Sequence, residues 1–507
     1  MNQLKTGVAL NYVIIIISTL VGLLYTPYML RMMGQSEYGL YSLVASVISY
    51  LTILDLGFGN AIVRYTAKYR AEGKKKEQYE MFGMFLLLYT GIGVISLIAG
   101  GVLYFNIDNL FGHTMSVDEL QKARILILIM IANLAITFPM SIFGSIMTAY
   151  ERFVFPKMLN ILRIALNTAV MIFLLSKGYK SVAMVVVQTI FNVITLVINY
   201  IYCKTELHIK ICFGKFKWGF LKEVAIYSFW ILLNIIMDRI YWSTGQFVLG
   251  IVSGTLAVSV FAVAIHLENM YMQFSTAISG VFLPKVTGMV TTNASSKELS
   301  DLFIKTGRIQ NYIMSLLLFG FLVFGKPFIA LWAGEEYSGS YIITCLFFIA
   351  LYVPLIQNLG ITILQARNQM RFRSLLYISI AFISLILQFM MAKIWGEIGC
   401  AIAICGALIL GQGIIMNVYY SKVQAIDIRR FWCEIIKMDI VPILVSVVFI
   451  IAQHYFVLDC WLYLAVGIGL FSTVVIFLEY RFCLNENEKE LFSFPFIRKT
   501  ERTNVGD

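Results

Sequence analysis

One arginine lies inside an apolar run with an amide on either side of it. In FPKMLNILRIALNTAV, Arg163 has Asn160 three residues before it and Asn167 four residues after it, while Leu159, Ile161, Leu162 and Ile164 occupy other faces. In a helix those three polar groups share one face. A guanidinium is a planar fork of N–H donors that can grip two oxygens of a phosphate or diphosphate at once, where a lysine offers only a point charge. An arginine that merely reached for lipid headgroups would not need flanking amides. Arg163, with Asn160 and Asn167, is therefore the leading candidate for an anion-binding face.

Other polar groups embedded in apolar stretches compete for that role. Asp55 lies about 17 residues into the run that begins at Tyr38, where an ionised carboxylate must find a partner or water. Arg64 follows about two turns later and suits a headgroup anchor as well as an anion ligand. A later run carries Asn234, Asp238 and Arg239; the last two are sequence neighbours and point about 100° apart, so spacing does not pair them. These eight residues form the candidate binding set. Polar stripes recur at Gln188, Asn192, Thr195 and Asn199, and at Ser259, His266, Asn269 and Gln273. Cavity lining and helix-to-helix hydrogen bonding both account for them. Gln388 and the lone His266 read as packing groups, and Glu268 does not share His266's face. The eight cysteines show no CxxC pair and no histidine at ligand spacing, so no metal centre, disulfide framework or cofactor is expected.

The elements that must position these groups are membrane-spanning helices. With 507 residues, 60% of them apolar and only 13% charged, and a mean hydropathy of +0.82, the chain is no string of soluble domains. Fourteen apolar runs of crossing length fall at about 8–30, 38–62, 81–105, 125–149, 156–176, 181–203, 220–242 and 246–275, then 309–332, 341–365, 374–394, 397–420, 435–453 and 459–480. The first is too long for a signal-peptide core and lacks a small-residue cleavage pattern. Pro27, Pro139, Pro354 and Pro442 lie in or at the ends of runs and permit bends.

Loop charge orients the chain. Placing the N-terminus inside puts 30 of the 39 Lys and Arg in inside segments and six in outside loops: Arg31, Lys122, Arg124, Lys177, Lys180 and Lys393. Arg163, Arg239 and Lys326 lie within runs. That alternation supports an even number of crossings with both termini cytoplasmic, and it accounts for the net charge of +11 without nucleic acid. No loop is long enough for a catalytic domain and no G-x-x-x-x-G-K-[ST] sequence occurs, so an enzyme is not expected. The longest loop, 284–308, contains SKELSDL, which predicts a short surface helix capped by Ser296. The run 246–275, with an extension to Phe282, exceeds what a bilayer needs and must tilt, bend or protrude.

An internal repeat organises the runs. Pro139, Gly144, Ala149 and Phe155 align with Pro354, Gly360, Ala366 and Phe372 at offsets of 215 to 217, and the stretch from Gly178 to Ala183 matches that from Gly396 to Ala401. Asn11, Ser18, Gly22 and Tyr25 align with Tyr227, Asn234, Asp238 and Tyr241. The reading is an all-α integral membrane protein of two parallel six-helix lobes, 1–212 and 213–421, followed by two further helices over 422–483 and a cytoplasmic tail over 484–507. Such lobes leave a cleft that the polar faces can line.

The stretch from Pro27 through Gly34, Tyr38 and Gly39 to Asp55, Gly57, Asn60 and Arg64 resembles the opening of the polysaccharide transporter family, the Wzx-type flippases of the MATE-like superfamily. That resemblance implies a multi-pass bacterial inner-membrane transporter that moves an undecaprenyl-diphosphate-linked oligosaccharide repeat unit across the membrane by alternating access, for O-antigen, capsule or exopolysaccharide. It implies contact with membrane lipids, a partnership with a polysaccharide polymerase and a chain-length regulator, and coupling to a proton or sodium gradient or to the membrane potential. A MATE-type cation or drug antiporter is the alternative, although the first run, Val8 to Leu30, lacks the acidic residue common there. The lipid-linked peptidoglycan precursor flippase is a second relative, but Arg31 and Arg64 stand only near the ends of runs; a membrane polymerase fits less well.

Overall fold

A computed structural model describes residues 3–489 apart from 215–217, 280–285, 287, 291, 293, 368, 456–457 and 487. The extension to Phe282, most of the expected tail and the side chain of Tyr227 lie outside the described residues. Every long element is a helix, as an apolar chain in lipid requires when each backbone N–H and C=O must be paired locally.

The first half runs α1 Gln3–Met33, α2 Gln35–Leu51, α3 Phe58–Ala71, α4 Lys75–Phe105, a short α5 Ile107–Phe111, α6 Val117–Ala149, α7 Val154–Ser176 and α8 Ser181–Thr205. The second half runs α9 Trp218–Trp242, α10 Thr244–Val252, α11 Thr255–Ser279, α12 Ser296–Trp332, α13 Ser340–Ile356, α14 Leu359–Ala366, α15 Arg371–Leu408, α16 Met416–Lys422, α17 Ile428–Gln453 and α18 Trp461–Phe482. Two compact units form: Met1–Ile265 with Ser374–Ala407, and His266–Arg373 with Leu408–Asp507.

Eleven helices among the described residues are long and apolar enough to cross a membrane, or twelve when the bent pair α13–α14 counts as one span. The difference between twelve and fourteen has two sources in the described chain. The expected runs 374–394 and 397–420 belong to one stretch, Arg371–Lys422, whose helix is broken at Trp395 and Gly396, where Gly396 has φ +56°, and which continues through a π-helical turn at Ile409–Ile415. The run 220–242 is α9, several of whose side chains fall outside the described set.

Three expectations about continuity change. The run 38–62 is interrupted by a 3-10 turn at Thr52–Asp55 and by two left-handed residues, Leu56 and Gly57. Gly57 is needed there twice over, since its φ is +72° and a Cβ would come within 2.7 Å of Ile231 Cγ2 on α9. The run 246–275 is split at Gly254, φ +84°, where the Thr114 hydroxyl donates to the Gly250 carbonyl at 2.7 Å. The SKELSDL segment is the first two turns of α12, and the cap is Ser295, in a reciprocal box with Glu298, because Ser295 alone has the extended backbone that a cap requires. Of the prolines, Pro354 precedes a 44° bend between α13 and α14, while Pro27, Pro139 and Pro442 lie inside unbroken helices.

Candidate functional site

α7 carries the anion-binding candidates. It packs on α1 and α8, and its first N–H, that of Val154, donates to Gln3 Oε1 across the α1 contact. Lys157 donates to Asn11 at 2.7 Å on the same seam. Arg163 Nη2 donates to Asn160 Oδ1 at 2.9 Å, the one hydrogen bond of its guanidinium among the described residues. One turn on, the Asn167 side-chain oxygen is buried without a partner. The three side chains stand along α7 with a half-buried guanidinium steadied by one amide and no further hydrogen bond to it among the described residues.

Asp55 has a different setting. It accepts from the Tyr89 hydroxyl at 2.9 Å and fixes the α2–α3 break against α4, where Phe58 packs edge-on to Phe85 and Tyr89. Arg64 is exposed beside the Tyr65 ring. On α9, Asn234 and Arg239 are half-buried and Asp238 is exposed. The carbonyl of Arg239 accepts from Thr244, whose hydroxyl also meets that of Tyr50.

The stripes resolve in part into joints between helices. Gln188 hydrogen-bonds Tyr41, and Asn192 reaches both Asn133 and Thr137 at 2.8 Å. Ser259 returns to the Leu256 carbonyl, His266 stacks on Trp332, and Gln388 bonds Ser384 within a buried patch. The amide oxygen of Asn199 is buried and has no hydrogen-bond partner among the described residues.

A second polar seam joins α2 and α6 to the segment from α9 to α11. Glu119 caps α6 in a box with Ser116 and also accepts from Ser36 and, at 2.7 Å, from Thr255. Beside it, Glu37 binds Lys122 at 2.7 Å and Ser181. Gly39 lies so close to the Thr255 carbonyl that a Cβ could not fit, and Ser49 meets Ser243 at 2.8 Å. The S-x-x-E spacing of Ser116 and Glu119 is a cap signal that the sequence offers; the link to Thr255 is not.

Sequence reading missed a third group. Asp439 on α17 accepts from the Asn311 amide on α12 at 2.9 Å and lies 2.6 Å from the Tyr352 hydroxyl on α13, whose single hydrogen it shares with the Asn311 side-chain oxygen. Glu479 on α18 is fully buried and neither of its oxygens has a hydrogen-bond partner among the described residues; the same holds for Glu268 on α11. Carboxylates inside the apolar runs 435–453 and 459–480 were the available signal.

Residues 4–290, more than half of the chain, match the family described as polysaccharide biosynthesis protein. No curated protein matches the chain. Among solved structures, the lipid II flippase MurJ in an inward-closed conformation superposes with a TM-score of 0.71 at 17% identity, covering 94% of this chain and 99% of that one. An inward-facing multidrug resistance MATE family transporter of the MOP superfamily gives 0.55 at 14% identity, covering 80% and 99%. A MOP superfamily transporter from Pyrococcus furiosus gives 0.52 at 15% identity, covering 83% and 98%. At these identities the likeness is one of fold.

Proposed function

Because the chain belongs to the polysaccharide biosynthesis protein family, we propose that it is a flippase that carries an undecaprenyl-diphosphate-linked oligosaccharide repeat unit across the bacterial inner membrane. The observation that carries this reading is the α7 face, where, among the described residues, Arg163 keeps most of its donors free between Asn160 and an unpaired Asn167 oxygen. A diphosphate presents several oxygens to such a fork, and the sugars can use the neighbouring amides.

We infer the working parts from the same residues. The lobes 1–212 and 213–421 act as the moving bodies, with fourteen crossings in all and both termini cytoplasmic. The paired left-handed glycines Gly178 and Gly396, equivalent in the repeat, support that division. The seam of Glu119, Thr255, Gly39, Ser49 and Ser243 acts as a seal on the outer side that opens when substrate is released. Gradient coupling, a polymerase and a chain-length regulator belong to the same reading.

The test uses the purified protein in liposomes with a defined lipid-linked oligosaccharide, scored by enzymatic access to the sugar from one side. Movement of the oligosaccharide lipid supports the proposal. Export of cationic dyes without movement of the lipid supports a MATE-type antiporter instead, against which α1 stands as a helix with no acidic residue.

A further inference from the structure

Glu479 stands one turn from the end of the last long helix, fully buried, with both carboxylate oxygens lacking any donor among the described residues. An ionised carboxylate in that condition would bear a desolvation cost that nothing local offsets. α17, which packs on α18, supplies Asp439. α12 supplies Tyr312, and α13 supplies Tyr352. Beyond the end of α18 comes Cys483. On the far side of Asp439 is Tyr271 of α11.

The nearby cation, Arg308, is committed elsewhere. Its Nε and Nη2 donate to Glu488, its Nη1 to Glu434, and Nη2 also to the Cys483 carbonyl. Hydrogen-bond donors distinguish the two carboxyls. Asp439 receives the Asn311 amide N–H and shares the single Tyr352 hydroxyl hydrogen with the Asn311 side-chain oxygen, so it is better equipped to be an anion than Glu479, which receives none among the described residues. Two acidic groups with such unlike surroundings divide into a proton carrier and a fixed charge.

We propose that Glu479 is a proton-binding carboxyl, neutral beside an ionised Asp439, at the junction of α12, α13, α17 and α18. The proton comes from water and adds to a Glu479 oxygen, so no other reactant is needed. Its release sets two negative charges side by side and loosens α17 and α18 from α12. The site lies outside residues 4–290, the part of the chain that matches the family. Its use as the coupling step rests on the flippase reading; its existence does not.

Infrared difference spectra of the purified full-length protein in lipid nanodiscs, stepped across neutral pH, test it. A protonated-carboxyl stretch that comes and goes with pH, is lost in Glu479→Gln and persists in Asp439→Asn supports the proposal. No such band in the native protein overturns it, as does a band that survives Glu479→Gln, or one that follows sodium at fixed pH. Should Glu479→Gln fail to fold, Glu479→Asp serves in its place: it must keep a titrating band at an altered frequency, and an unchanged band overturns the assignment. Oligosaccharide-lipid movement is measured on the same samples. A band without movement of the lipid leaves the proton site standing and removes the flippase reading.

Discussion

Arg308 is 5% exposed and holds Glu488 by two hydrogen bonds of 2.7 and 2.8 Å, tying the segment after α18 back to α12. Burial alone would push the Glu488 carboxyl up; the bonds from Arg308 and the Asn485 N–H, with the charges of Arg308 and Lys305, outweigh it and hold the carboxyl below its ordinary range. A group depressed in the folded state adds stability that is complete above its unfolded value and is lost as pH falls through the folded one. Stability should therefore decline as the medium is acidified through and below the ordinary glutamate range. Glu488→Gln should flatten that decline, and Arg308→Ala should cost about 3–5 kcal/mol by leaving buried carboxylates uncompensated. Thermal unfolding in detergent at several pH values measures both.

Arg163→Ala should abolish oligosaccharide-lipid movement while the protein accumulates normally, and Arg163→Lys should keep part of the activity, since charge survives and the two-point fork is lost. Asn160→Ala, which removes the one hydrogen bond of the guanidinium, should weaken transport less than loss of the arginine. If Arg163 is only an anchor, alanine lowers abundance and lysine restores full function. Transport and protein level measured together separate these outcomes.

Gly39→Ala places a methyl on the Thr255 carbonyl, backbone against backbone, and should cost about 1–3 kcal/mol at that contact. Glu119→Ala removes an acceptor for Ser36 and Thr255. Either change should raise, several-fold, the reaction of an impermeant thiol reagent with a cysteine at the buried Leu249 in a cysteine-free background. Unaltered labelling would mean that this seam is not a seal.

Topology has its own check. Lys75 and Glu335 are both exposed. In whole cells a cysteine at Glu335 should react with the same reagent and one at Lys75 should not. Labelling at Lys75 would break the assignment of inside and outside.

What the sequence by itself determined is what depends on composition along the line. Apolar runs of bilayer length and the placement of lysine and arginine are read against the membrane, not against other helices, so the all-helical, multi-pass character was legible. The α7 face was legible too, because Asn160, Arg163 and Asn167 are brought together by helical geometry alone. Helix breaks were not: Gly57 and Gly254 occur among many glycines, and only the approach of Ile231 and Thr114 makes them junctions. Nor was the fate of the stripes, since Gln188 and Asn192 are joints only because Tyr41, Asn133 and Thr137 lie opposite. Asp439 met Tyr352 and Asn311, across 87 and 128 residues, only when α12, α13 and α17 packed together. Hydropathy reports the distance of a residue from water; which buried group faces which is a property of helix packing, and no one-dimensional pattern contains it.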